Sequence, residues 1–367
     1  MEISQNFMVK KIDFYKFYQN KKVLITGHTG FKGSWLTTWL LNLGCNVVGV
    51  SKNIPTKPSN FENLNLKKKI KNYYLNIENY KKLKKIILKE RPNIIFHLAA
   101  QSIISESFTN PLETVNTNTQ GSLNVLHASS YLNNKCLCIM ITSDKCYFNL
   151  EKKVGYKENS LLGGQDMYSG SKAAAEIILQ AYYHSFLKKN KNLRFCTVRA
   201  GNVIGGGDWS KNRLIPDIMR SWKKNLKPKI KNPKSVRPWQ HVLEPLFGYL
   251  KLAIFLNKDE KLNGESFNFG PSFKKTYTVM QLVKLLQKNL NKKNSYSFKK
   301  KSNFHETKIL KLNSKKAYKK LRWKTLLNLD QIGMFITNWY KIYFRKNSNM
   351  YDFTIKQIKE YEKKTFN

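Results

Sequence analysis

The chain has 367 residues, 41% hydrophobic and 13% aromatic, which is enough apolar material for a full core and too much for a disordered polymer. No segment reaches the ~18 uninterrupted apolar residues of a membrane span; the nearest candidate, 35–50, is broken by Thr37, Thr38, Asn42, Gly44 and Asn46. Sixty-six basic residues against 23 acidic ones give a net charge of +43. Only eight of those cations are arginine, the residue base readout depends on, so the expectation is loose attraction to polyanions at low salt and no specific nucleic-acid partner.

In chain order, the first ordered signal is a buried-strand run at 22–26. It leads into Gly27-His-Thr-Gly30-Phe-Lys-Gly33, an apolar helical stretch at 34–43, a stop at Gly44 and a second strand at 46–50. This is a βαβ unit. Gly27 allows the tight turn, Gly30 lets the backbone approach a pyrophosphate, and Gly33 lets helix and strand pack closely, with the helix N-terminus facing the anion. Strand 93–98 follows, ending in the small residues Ala99 and Ala100, which leave room for a cofactor. Then come a helix over 111–131, a strand over 136–142, a helix over 168–189 and a strand over 193–198.

The alternation predicts an α/β fold with a doubly wound parallel (Rossmann) sheet over 12–205, completed by part of 235–270. After about residue 205 prolines multiply (Pro216, Pro228, Pro233, Pro238), marking a smaller α/β substrate lobe over 206–340 and a helical tail over 341–367. Five cysteines without metal-ligand spacing predict reduced thiols and no metal. With no apolar run after Glu2 to serve as a signal peptide, the expected location is cytoplasmic.

Two places carry chemistry. Tyr168-Ser-Gly-Ser-Lys172 sets a phenol and an ammonium four residues apart on one helix face. The lysine is expected to lower the tyrosine pKa and make it a base near neutrality. Upstream, strand 138–142 delivers Ser143, Asp144 and Lys145 to the sheet edge where ligands bind. A hydroxyl, a carboxylate and an ammonium together exceed what hydride transfer requires and suit a site that also moves protons and expels a leaving group. His97 reads as a packed core histidine. Trp209 and Trp239 either line the lobe or fill it, and the lysine runs at 67–71 and 298–301 read as solvated faces.

These features resemble the extended short-chain dehydrogenase/reductase family, and longer strings resemble its CDP-glucose 4,6-dehydratase branch. The strings are 26–35, 142–147, 199–209 (Arg-Ala-Gly-Asn-Val-Ile-Gly-Gly-Gly-Asp-Trp), 213–217, 237–242 (Arg-Pro-Trp-Gln-His-Val), 268–271 and His305-Glu306. The similarity runs from about Ile12 to Tyr340. The resemblance implies NAD held by Gly27, Thr29, Gly30, Phe31, Lys32, Gly33, Asn76, Ile77, Leu98, Ala99 and Ala100, with Tyr168 and Lys172.

It further implies Tyr168 as base at the sugar 4-hydroxyl and Ser143 as hydrogen-bond partner of O4. Asp144 becomes the acid for the departing 6-hydroxyl, and Lys145 either the base at C5 or a stabiliser of the enolate. Asn202, Arg213, Arg237 and His241 would bind the nucleotide sugar, and a homodimer or tetramer is implied. The product would be a 4-keto-6-deoxy sugar nucleotide feeding surface polysaccharide. The sequence departs from the family where Ser51 and Lys52 end the second strand in place of an acidic residue, which leaves NADP open, and where Asn76 replaces an aspartate. Two alternatives stand beside this reading: a related dehydratase or epimerase with another nucleotide, and a non-catalytic Rossmann binding module. Asp144 with Lys145 argues against a simple epimerase, and the presence of Tyr168, Lys172 and Asp144 against a retired module.

Overall fold

The strands whose sequences are continuous apolar runs lie at the centre of the sheet, as parallel strands covered on both faces must. Described residues of the computed structural model are 9–151, 154–272, 276–292, 296–298, 310–345 and 347–366. Along the chain come helix α1 (Lys11–Tyr18), strand β1 (Lys22–Thr26), α2 (Phe31–Asn42), β2 (Asn46–Ser51), β3 (Lys71–Tyr74) and α3 (Tyr80–Glu90). Then follow β4 (Ile94–His97), α4 (Gly121–Ser129), β5 (Cys136–Ile141), α5 (Met167–Tyr182) and β6 (Leu193–Ala200). The chain continues through α6 (Leu214–Lys223), α7 (Leu243–Lys258), β7 (Ser266–Phe269), α8 (Val279–Asn289), α9 (Leu329–Tyr343) and α10 (Met350–Phe366).

The seven strands form one sheet in the order β7-β6-β5-β4-β1-β2-β3, every pair parallel. The order reverses between β1 and β4, so their C-terminal ends open the crevice in which such sheets bind ligands. The seventh strand, 266–269, is supplied after α7 has packed back against β5 and β6.

Two helices differ from the sequence expectation. The segment 111–131 is a short helix Pro111–Val115, one π turn over Asn116–Gln120, and then α4. Within that turn Asn118 is buried, its Nδ2 donating to the Gln101 carbonyl (3.0 Å) and to Ser171 Oγ (2.9 Å). Two tertiary partners therefore occupy a side chain in the widened turn, where functional residues often sit. The helix expected over 168–189 likewise leaves α-geometry after Tyr182, in a π turn over Tyr183–Leu187.

Beyond β6, apart from β7, the described strands shrink to two-residue ribbons: 203–204 with 240–241, 236–237 with 277–278, and 229–230 with 297–298. Helix α10 packs back on α2, with Glu362 buried and accepting from Tyr15 Oη (2.7 Å) and Trp39 Nε1 (2.8 Å). His97 lies in the core between Thr26 and Ser122, and Trp209 packs among Trp339, Tyr340 and Tyr343. The five cysteines are buried and unbridged. No helix among the described residues is long and apolar enough to cross a membrane. His305-Glu306 and residues 299–301 of the lysine run lie outside the described residues.

Candidate active site

At the crevice the backbone does the shaping. Gly27 follows β1 at φ +75°, and a Cβ there would stand 2.6 Å from the Ala99 nitrogen. A Cβ on Gly33 would stand 2.2 Å from the Gly27 carbonyl oxygen. Only glycine permits both approaches. Helix α2 begins after Gly30 with no side-chain cap, so its first N–H groups keep the capacity to bind an anion. Thr29 braces the turn, donating from Oγ1 to the Asn53 carbonyl (2.7 Å), and Leu98 N donates to the Thr26 carbonyl (3.0 Å). Ser51 is buried and bonded to His28 Nδ1 (2.9 Å), while Lys52 is paired with Glu113 (2.8 Å). Half-buried Asn76 accepts from Glu78 N at 3.1 Å, and Ile77 is packed on Gly121. The uncapped helix start and the small residues after β1 and β4 fit a dinucleotide.

Side chains dominate the neighbouring edge. Strand β5 ends at Ile141, and after Thr142 the chain turns at Ser143, whose Oγ donates to Asp144 Oδ1 (3.1 Å), accepts from Lys145 N (3.2 Å) and hydrogen-bonds the Tyr168 phenol. Ser143, Asp144, Tyr168 and Lys172 are all buried, and Lys145 is half-buried. Asp144 lies so close to Gly201 that a Cβ there would meet Oδ2 at 1.8 Å. Burial raises the Asp144 carboxyl above its ordinary value, with Lys145, the Ser143 hydrogen bond and Lys32 pulling the other way.

The Tyr168 phenol also lies above its ordinary value. Burial outweighs the Ser143 hydrogen bond, Asp144 raises it further and Arg213 lowers it. The sequence expectation is a phenol lowered toward neutrality by a neighbouring cation; in this structure burial sets the opposite direction, and burial first, then the charge of Lys32, push the Lys172 ammonium down to about 7.

Lys32, expected at the cofactor, also shares a field with Arg213 and Asp144: burial and Arg213 push it down to about 8, opposed by Asp144. Arg213 is brought to the site as well, its side chain 35% exposed and reaching Asp208 Oδ2 (3.4 Å) and the Ser102 carbonyl and hydroxyl (3.5 Å each). Asn202 follows Gly201 at φ +53° and its carbonyl accepts from Gln240 N (3.2 Å). Arg237 lies on the 236–237 ribbon, half-buried, with Nη1 on the Val236 carbonyl (3.1 Å).

His241 does not face the crevice. Its ring has no exposure, packs against Trp35 and Phe335, and accepts from Leu243 N (3.4 Å) at Nδ1. Burial pushes it down to about 3, so it is a neutral core residue with no surface for a ligand. Sequence reasoning also missed Asn118, Thr142 and Glu176. Glu176 left a signal, since it repeats beyond Lys172 the four-residue step that separates Lys172 from Tyr168.

A glycine cradle at the switch point beside a Ser-Tyr-Lys cluster defines the class of dinucleotide-dependent enzymes of the extended short-chain dehydrogenase/reductase type. The chain belongs to the GDP-mannose 4,6 dehydratase family, whose model matches residues 24–334. It is 40% identical to the CDP-glucose 4,6-dehydratase of Salmonella typhimurium over 333 residues, 90% of this chain and 93% of that protein. It is 27% identical to the CDP-paratose 2-epimerase of Salmonella typhi, over 74% of this chain and 85% of the relative. Among solved structures, the UDP-glucose 4-epimerase of Thermotoga maritima superposes with a TM-score of 0.77 at 23% identity, covering 88% of this chain and all (100%) of the other. The dTDP-glucose 4,6-dehydratase of Streptomyces venezuelae, solved with NAD, gives 0.74 at 19% identity, covering 87% and 97%. Both structures show the shared fold.

Proposed function

We propose that this protein is an NAD-dependent CDP-glucose 4,6-dehydratase, forming CDP-4-keto-6-deoxyglucose and water. One observation carries the reading. A buried Asp144 carboxyl, raised above its ordinary value, stands between Ser143 and Lys145 on the strand end beside Tyr168. An epimerase needs no acid to expel a hydroxyl, whereas a dehydratase does. The long match to a protein named for this reaction supports the nucleotide.

Bound NAD supplies a hydride acceptor for C4 and a hydride donor for C6. Tyr168 takes the proton of the sugar 4-hydroxyl, with Ser143 bonded to O4, so that C4 becomes a ketone. The ketone acidifies C5, whose proton leaves to the amine of Lys145, and the ammonium so formed stands against the enolate. The C6–O bond then breaks, and the Asp144 proton goes to the departing oxygen to make water. The C5 proton returns as C6 is reduced, and the proton taken up by Tyr168 passes back to Asp144, so both groups are restored and the net change is loss of water. Lys172 orients the ribose of the dinucleotide, and Arg213 and Arg237 supply planar cations for the nucleotide diphosphate.

We read the enzyme as a cytoplasmic homo-oligomer, its product a deoxysugar precursor for surface polysaccharide. Ile177 (54% exposed), Ile178 (37%) and Phe186 (67%), on α5 and its extension, support a subunit contact there. The test is an assay of the purified protein with CDP-glucose, UDP-glucose, dTDP-glucose and GDP-mannose, each with NAD or NADP, following the alkaline absorbance of a 4-keto-6-deoxy sugar. Turnover of CDP-glucose is expected. Turnover of another sugar nucleotide corrects the substrate, and no product despite dinucleotide binding overturns the proposal.

A further inference from the structure

Beneath the catalytic cluster lies a buried polar network that none of the steps above uses. The Glu176 side chain is 0% exposed and that of Arg199 is 3%. Glu176 Oε1 accepts from Thr142 Oγ1 and from Arg199 Nε (2.9 Å), and Oε2 from Arg199 Nη2 (2.9 Å) and Thr197 Oγ1 (2.8 Å). The guanidinium continues outward, Nη1 donating to the Tyr147 phenol oxygen (2.7 Å) and the Glu158 carbonyl (2.8 Å). Tyr147 donates to Asn268 Oδ1 (2.8 Å), and Asn268 Nδ2 donates to the carbonyls of Tyr156 (2.9 Å) and Asn313 (3.3 Å).

The placement of these partners is informative. Thr142 immediately precedes Ser143, Tyr147 comes two residues after Lys145, and Arg199 comes two residues before Gly201, the residue against Asp144. Glu176 itself lies on the α5 face that carries Tyr168 and Lys172. One carboxylate therefore ties the catalytic helix to the ends of both strands that carry the rest of the site.

We propose that Glu176 is a positioning residue. Gripped by Arg199 and Thr142, it fixes the height of α5 against the ends of β5 and β6 and so holds Tyr168 and Lys172 within reach of Ser143 and Asp144. The inference rests on the dehydratase reading above. Stability alone is a poor account of the pair, because the desolvation of two buried charges consumes most of their attraction and well-packed apolar residues serve a fold as well. Geometric demand is a better one, since small misplacements of reacting groups are costly in rate. The charge of Glu176 also helps hold Lys172 protonated.

The experiment compares kcat, KM and dinucleotide affinity of the whole enzyme with those of Glu176→Gln. The expected result is a kcat lowered ~10–100-fold with KM for CDP-glucose and dinucleotide affinity about unchanged, the size usual for groups that orient a reacting shell. The alkaline limb of the kcat profile moves to lower pH as Lys172 loses its counter-charge.

In the double variant Glu176→Leu with Arg199→Met, the melting temperature recovers and kcat does not. Recovery of both, or a Glu176→Gln loss that falls on KM, overturns the proposal. If Glu176→Gln does not fold, Thr142→Val removes a single bond and is judged by the same split. Wild-type turnover measured in parallel separates the two readings. Without it the dehydratase reading falls, and amide exchange of Glu176→Gln decides alone: faster exchange confined to 142–146 and 167–172 supports positioning, and unchanged or uniformly faster exchange overturns it.

Discussion

Two stretches of the same sheet edge solve different problems with different materials. Where β1 meets β4, the surface is shaped by backbone: Gly27 against Ala99, Gly33 against the Gly27 carbonyl, and the uncapped start of α2. Where β5 meets β6, it is shaped by ionisable side chains that burial has moved off their ordinary values, with Asp144 and Tyr168 raised and Lys172 and Lys32 lowered. A pyrophosphate needs only oriented N–H groups, which any sequence with the right glycines presents. Acid–base chemistry needs protons held against their solution preference, and burial beside chosen charges supplies that.

The largest expected effect breaks one region and spares the other. Tyr168→Phe lowers kcat by ~10²–10⁴-fold, the range for a lost general base, while dinucleotide binding, read by fluorescence quenching, stays as in the wild type. Turnover retained by this variant would remove the phenol from the mechanism. Gly27→Ala does the reverse. Its Cβ strikes backbone and its φ of +75° is strained for alanine, at ~1–3 kcal/mol, so the melting temperature falls and dinucleotide affinity falls with it. Unchanged affinity would show that the turn does not bear the pyrophosphate.

The smallest effect sharpens the contrast by its sign. A carboxyl raised in the folded state costs nothing while folded and unfolded chains are both protonated. It weighs increasingly against folding as the pH rises from the ordinary carboxylate value, and in full once the folded value is passed. Asp144→Asn therefore raises the melting temperature at neutral pH and leaves it unchanged at a pH below the ordinary carboxylate range, while C4 oxidation persists and water loss fails. A melting temperature that does not depend on pH in this way would show Asp144 to be an ordinary carboxylate, and normal dehydration would remove it from the mechanism.

The first region was legible from the chain because its logic is local. Gly27, Gly30 and Gly33 lie within one strand-turn-helix, and the alternation of strands and helices implied the parallel sheet. The second was legible only in the identity of its ionisable groups. Tyr168, Lys172 and the Ser143-Asp144-Lys145 string could be found by spacing and resemblance. That Lys32 shares their field, or that His241 turns away into the core against Trp35 and Phe335, could not.

The sequence by itself determined the elements, the phosphate turn and the identity of the chemical groups, because hydrophobic period, glycine freedom and motif spacing all act within a few residues. The tertiary structure alone decided in which direction burial and neighbouring charges shift those groups and what keeps them in register. Burial and the Thr142–Glu176–Arg199–Tyr147 network depend on residues far apart in the chain, which only the assembled sheet brings within hydrogen-bonding distance.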